Sequence, residues 1–309
     1  MFTIVYKNIS PPERSYLTNK ILQSDDQNII DLFIPMKVTF DKNVYEYIAD
    51  PEKQGLLTEE ARSCYRSLKD LIMQGLIVPF ISETILTYET LKKDKRQEIL
   101  SHGQPINITT DGHTISMEPN PDIHPGNTSF DDYYLPRAIA LGFRILPDCR
   151  FGKLINPSVK SEWYYLGAND FFLMADRFTE VDDLLSALGV GYSVYKKLAD
   201  SSGHPNRPPS VNIANYKGST KTLSAALSER SDGDSVALHI ANNIDFFCTR
   251  DSGKNAGHSV FAPAACEKLK KQFGFRKGTP EELLSLFSVN RGLLNNTAPS
   301  DYANAQTKI

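Results

Sequence analysis

Short β-prone runs alternate with helical stretches along most of this chain, and that alternation restricts the fold more than any other feature. The runs are MKVTF (36–40), LIVPFI (76–81), FRIL (143–146) and IDFFCT (244–249). Apolar residues at helical spacing occupy about 56–75, 83–100, 131–142, 168–200 and 262–272. Strands separated by helices predict a parallel sheet covered on both faces. With 309 residues and an apolar fraction of 40%, the chain has enough material for a sizeable core in one large domain or two small ones.

One segment breaks the rhythm. INITTDGHTISME (106–118) alternates in polarity around Asp111-Gly112, a strong hairpin signal, and a loop rich in Pro, Asn and His follows at 119–129. Near the end, GTPEELLSLF places Thr279 as an N-cap, Pro280 at the first helical position and Glu282 three residues past the cap, which predicts a final helix. The expected organisation is an N-terminal extension (1–35), one α/β domain (36–295) with an insertion at about 100–165, and a mobile polar tail (296–309).

The segment DGDSVALHIANNIDFFCTRDSG (232–253) begins and ends on acids. Read as a helix opening at Asp234 and running to 243, it descends about 15 Å, and the strand at 244–249 climbs back about 17–20 Å. Asp234 and Asp251 then return to the edge where strands end and ligands bind in parallel α/β folds, and Asp41 reaches that edge directly from the first strand. The helix after the second run, for which Ser82 is the expected N-cap, offers Glu83 and Glu89. Six residues at 100° each separate these two by about 240° around the helix, so only one faces the site. Glu83 complements the helix dipole, whereas Glu89 lies towards the apolar side and needs a positive partner; Glu89 is favoured and Glu83 kept as the alternative.

Carboxylates gathered in this way repel, and no Arg or Lys within these motifs neutralises them. An all-oxygen donor set suits Mg²⁺ or Mn²⁺. Such ions activate water and stabilise charge on a phosphoryl group, so phosphodiester hydrolysis is the natural chemistry.

The set VTFDKNVYEYI, FISETILTYETL and DGDSVALHIANNIDFFCTRD resembles the PIN-domain nuclease superfamily, and FGFRKGTPEELLSLF resembles the strand and helix that often end such domains. The resemblance implies a three-layer α/β/α sandwich around a mainly parallel sheet, here with an inserted β-hairpin and helices. By that resemblance Asp41, Glu89, Asp234 and Asp251 are the catalytic, metal-binding acids, and Asn43 and Thr249 the polar residues that support them. It implies Mg²⁺- or Mn²⁺-dependent endoribonuclease activity on single-stranded RNA, with DNA left open. Many members are toxins held by an antitoxin or regulatory protein, and homodimers are frequent. The alternative is a degenerate PIN-like module that binds RNA or protein without cutting. A haloacid-dehalogenase-like phosphohydrolase is disfavoured by Asn43, where a second Asp is wanted, and a phospho-receiver by the missing acid pair at 40–41.

The formal charge of −3 excludes a generally basic surface, so a polyanion requires a local patch or metal ions. Four widely spaced cysteines read as free thiols of a reducing compartment. No signal peptide or membrane-spanning run is evident, and a cytoplasmic location is expected. The pairs Glu59-Glu60, Asp131-Asp132, Asp182-Asp183 and Glu281-Glu282 read as helix starts or solvated faces, and His239 as a packed residue. His102, His113 and His124 match no ligand spacing. The basic runs 92–96 and 268–277 read as wet helix faces unless they adjoin the acids, and Trp163, Tyr164 and Tyr165 as core rather than a base-stacking platform.

Overall fold

A computed structural model describes residues 35–53, 55, 57–89, 106–110, 115–119, 133–150, 159–165, 167, 171–204, 207, 209–213, 215–253 and 259–287. Five parallel strands form the sheet: β1 (Met36–Phe40), β2 (Ile77–Ser82), β5 (Arg144–Leu146), β6 (Phe246–Cys248) and β7 (Lys277–Gly278), in the order β5-β2-β1-β6-β7. Strands β3 (Ile106–Thr110) and β4 (Ile115–Pro119) form a separate antiparallel pair. Thr110 pairs with Ile115, so four residues connect them rather than a two-residue Asp-Gly turn, and the connection itself lies outside the described residues.

Strand side chains alternate between the two faces. Val38, Phe40, Ile77, Ile81, Ile145, Phe246 and Cys248 meet α1 (Lys42–Ala49), α2 (Glu59–Met73), α3 (Tyr134–Ala140) and Leu283 of the final helix, α9 (280–287). On the other face Phe80, Leu146 and Phe247 meet α4 (Phe171–Ala187), α7 (Thr220–Ala241) and α8 (Pro263–Phe273). The protein is a three-layer α/β/α sandwich. Each fully buried phenylalanine of the sheet contributes about 1.5–3 kcal/mol by leaving water. Residues 134–146, expected inside the insertion, instead supply α3 and the edge strand β5 of the same sheet.

Within the expected helical stretch 168–200, residues 171–200 form two helices, α4 and α5 (Tyr192–Asp200), because Gly189 and Gly191 take positive φ between them. A short helix, α6 (Pro209–Ile213), interrupts the expected loop at 201–212. Thr279 and Glu282 form the reciprocal cap expected of α9. The largest departure is α7, a single helix of 22 residues capped by Ser219, whose hydroxyl accepts from the Thr222 N–H at 3.1 Å. It is about 33 Å long. Its last part covers the sheet, and its first part packs Leu223 and Leu227 with Tyr88, Tyr195, Ala199 and Ile213 in a smaller core of their own.

Gly233 sits inside this helix, where glycine costs about 1 kcal/mol relative to alanine. A Cβ there would lie 2.6 Å from the Gly191 Cα, which is backbone and cannot swing aside. Gly233→Ala is therefore expected to lower stability by about 1–3 kcal/mol through overpacking. A melting curve would show a fall in Tm, opposite to the rise that helix propensity alone predicts.

Among the described residues no helix is long and apolar enough to cross a membrane. The extension 1–34, the tail from 288, Asp131-Asp132, the histidines at 102, 113 and 124, and the basic run 92–96 lie outside the described residues.

Candidate metal centre

The sheet order places a topological switch between β1 and β6: the chain leaves β1 towards β2 and β6 towards β7, on opposite sides. Crevices open at the carboxyl ends of strands at such a point. Asp41 follows β1 there, and the Asp41 N–H donates to the Cys248 carbonyl at 3.0 Å, extending the ladder by one bond. Asp41 also caps α1. Its Oδ1 accepts from the Lys42 N–H at 2.6 Å, and its Oδ2 accepts from the Thr249 hydroxyl at 2.7 Å.

Glu89 arrives from the carboxyl end of β2. The Ser82 hydroxyl accepts from the Thr84 N–H at 3.2 Å, starting a helical stretch, and residues Ile85–Glu89 wind as a π-helical turn. Such turns recur at functional sites because the extra residue re-aims a side chain. The remainder of the expected helix, 90–100, lies outside the described residues. The third carboxylate is Asp232 of α7, and oxygens of Asp41, Glu89 and Asp232 all lie within 4.8 Å of one another.

Electrostatically the cluster is strained. Burial pushes the Asp232 carboxyl well above its ordinary range, and the charges of Glu89 and Asp41 add to this. Asp41 is also raised, by burial first, against the opposing Thr249 and Lys42 bonds and with a further push from Asp251. The Asp232 side chain forms no hydrogen bond or ion pair among the described residues. Opposed oxygens around a six-coordinate Mg²⁺ are about 4 Å apart, so the spacing and the all-oxygen donor set fit a hard divalent cation.

Two of the four expected acids, Asp41 and Glu89, are thus brought together. Glu83 is fully buried elsewhere, accepting from the Asp148 N–H and the Tyr164 hydroxyl, each at 2.7 Å. Asp251 is exposed on the loop after β6. Its N–H donates to the Thr249 hydroxyl at 3.0 Å, its Oδ1 accepts from the Gly253 N–H, and its charge reaches both Asp41 and Asp232. Asn43 is exposed on α1 and makes no bond to the acids among the described residues.

Asp234 does not join the cluster. It is not a helix start but a mid-helix residue, and two positions along a helix is about 200° of rotation, so it faces away from Asp232. There its Oδ1 accepts from Arg150 at 2.6 and 2.8 Å, and its Oδ2 lies 3.5 Å from Arg230. Burial raises the Asp234 carboxyl and Arg150 draws it back down. Arg150 also grips Asp182 at 2.7 Å, so Asp182 is a buried-network partner rather than a solvated acid. The acid of the cluster that the sequence reading missed, Asp232, carried one local signal: Leu223, Ala226, Leu227 and Arg230 recur at helical spacing before it, with Ser219 in cap position.

Other expected residues have structural places. His239 is enclosed by Phe247 and Phe275, with Nδ1 3.0 Å from the Thr39 hydroxyl, and burial lowers its pKa to about 3, leaving it neutral. Tyr165 packs edge-on against Phe80, and Trp163 lies against the core. Lys268, Lys270 and Lys271 occupy the half of α8 that leads into β7, at the edge opposite the acids, whereas the Lys277 ammonium donates to the Asp251 carbonyl at 3.0 Å.

Fold and site define a three-layer α/β/α protein with an acidic, cation-compatible centre at its switch point. Compared with known proteins, the chain matches no family model, no curated protein and no solved structure.

Proposed function

We propose that the protein is a metal-dependent endoribonuclease of the PIN-like kind, hydrolysing phosphodiester bonds in single-stranded RNA. The observation that carries this reading is the convergence of Asp41, Glu89 and Asp232, from three distant parts of the chain, within 4.8 Å at the switch point. Separate capping roles for these acids would not bring them together. In this reading the three carboxylates hold Mg²⁺ or Mn²⁺, which when bound supplies an acidified water and stabilises charge on the phosphoryl group. Thr249 fixes the rotamer of Asp41, and Asp251 adds negative charge from the neighbouring loop. Lys277 beside Asp251, and Lys42, whose ammonium lies 3.5 Å from the Glu89 carbonyl, offer phosphate contacts in an otherwise acidic chain. None of the four cysteines forms a disulfide, which suits the cytoplasm.

Labelled single-stranded RNA incubated with the protein and Mn²⁺ or Mg²⁺, and again with EDTA, tests the reading. Cleavage is expected with either ion, and none in EDTA or with Asp41→Asn. Retained RNA binding without cleavage would replace the nuclease with the binding module, and cleavage of single-stranded DNA alone would reassign the substrate.

A further inference from the structure

Asp232 and Glu89 repel, and Glu89 ends the described part of its turn, so something must hold its carboxylate towards its like-charged neighbour. Two consecutive residues of the π-turn bond to two consecutive residues of α7. The Tyr88 hydroxyl accepts from Arg230 at 2.8 Å, and Glu89 Oε1 accepts from the Ser231 hydroxyl at 2.9 Å. Ser231 is fully buried and directly precedes Asp232. Arg230, stacked over the Tyr88 ring at 4.3 Å and tied to Asp234, fixes the register of the turn against the helix.

We infer that Ser231 is a positioning residue for the metal centre. Its hydroxyl holds the Glu89 carboxylate against the repulsion of Asp232, with Arg230 and Tyr88 keeping the two backbones in register. Outer partners of this kind typically set metal affinity by 10–100-fold, because a ligand already in place has no ordering or repulsion left to overcome at binding. The inference rests on the metal-site reading above.

Calorimetric titration of the full chain with Mn²⁺ tests it, using wild type, Ser231→Ala and Ser231→Thr. Ser231→Ala is expected to weaken Mn²⁺ about 10–100-fold while its Tm in EDTA stays within a few degrees of wild type. Ser231→Thr, which keeps the hydroxyl, is expected to recover most of the affinity. Wild-type binding left unchanged by Ser231→Ala overturns the positioning role alone. A wild type that takes up no Mn²⁺ overturns the metal reading, and the positioning role with it.

Discussion

Asp234→Ala is expected to lower the unfolding free energy by about 3–5 kcal/mol. Asp234 is fully buried between two guanidinium groups, and its removal leaves Arg230 buried and Arg150 nearly so, without their shared counter-charge. Arginine does not escape by deprotonating, so the desolvation penalty of both cations stays in the folded state. Asp182 retains part of Arg150, which keeps the loss within that range. Asp234→Asn preserves shape and one acceptor oxygen and should fall between wild type and alanine. Urea unfolding monitored by circular dichroism measures all three; an unfolding free energy for Asp234→Ala within about 0.5 kcal/mol of wild type would show that the arginines are not held by this carboxylate.

Two residues earlier the same type of substitution should act with the opposite sign. Asp232→Asn is expected to raise the stability of the metal-free protein at neutral pH. Because burial and the charges of Glu89 and Asp41 raise the Asp232 pKa in the folded state, ionising it opposes folding. That destabilisation is absent below the unfolded-state value near 3.8, sets in as pH rises through it, and is complete above the raised folded value. Wild type and Asp232→Asn should therefore melt together at low pH and diverge as pH rises, by several degrees at about 2–4 °C per kcal/mol. Added Mn²⁺ should stabilise wild type increasingly with pH and leave the variant unmoved. In the proposed nuclease reaction, metal-dependent cleavage should fall by more than about 100-fold, beyond what outer partners control. Stability gained where function is lost is the signature of a site selected for chemistry. A variant less stable than wild type at every pH would instead assign Asp232 to the scaffold.

Much of the fold was legible because its signals are local. Two strand runs end where a cap begins: Phe40 before Asp41, and Gly278 before the Thr279–Glu282 pair. Strand alternation with helices was enough to expect a parallel, doubly covered sheet, and a parallel sheet puts residues that follow its strands on one edge whatever the details. Asp41 and Thr249 come to that edge for this reason alone.

Helical phase could not be read in the same way. Which aspartate of Asp232-Gly233-Asp234 faces the cluster depends on where α7 begins, and the triplet itself looks like a helix start, since aspartate caps and glycine breaks helices. The helix runs through because Leu223 and Leu227 are buried against Tyr88 and Tyr195, and because Gly233 admits the Gly191 backbone at a distance that any side chain would block. Those partners are far away in the chain. Local chemistry therefore determined the sheet, its edge and the presence of acids there; the choice between Asp232 and Asp234 was made by long-range packing, and by Arg150, whose guanidinium group only the folded chain brings to the far face of α7.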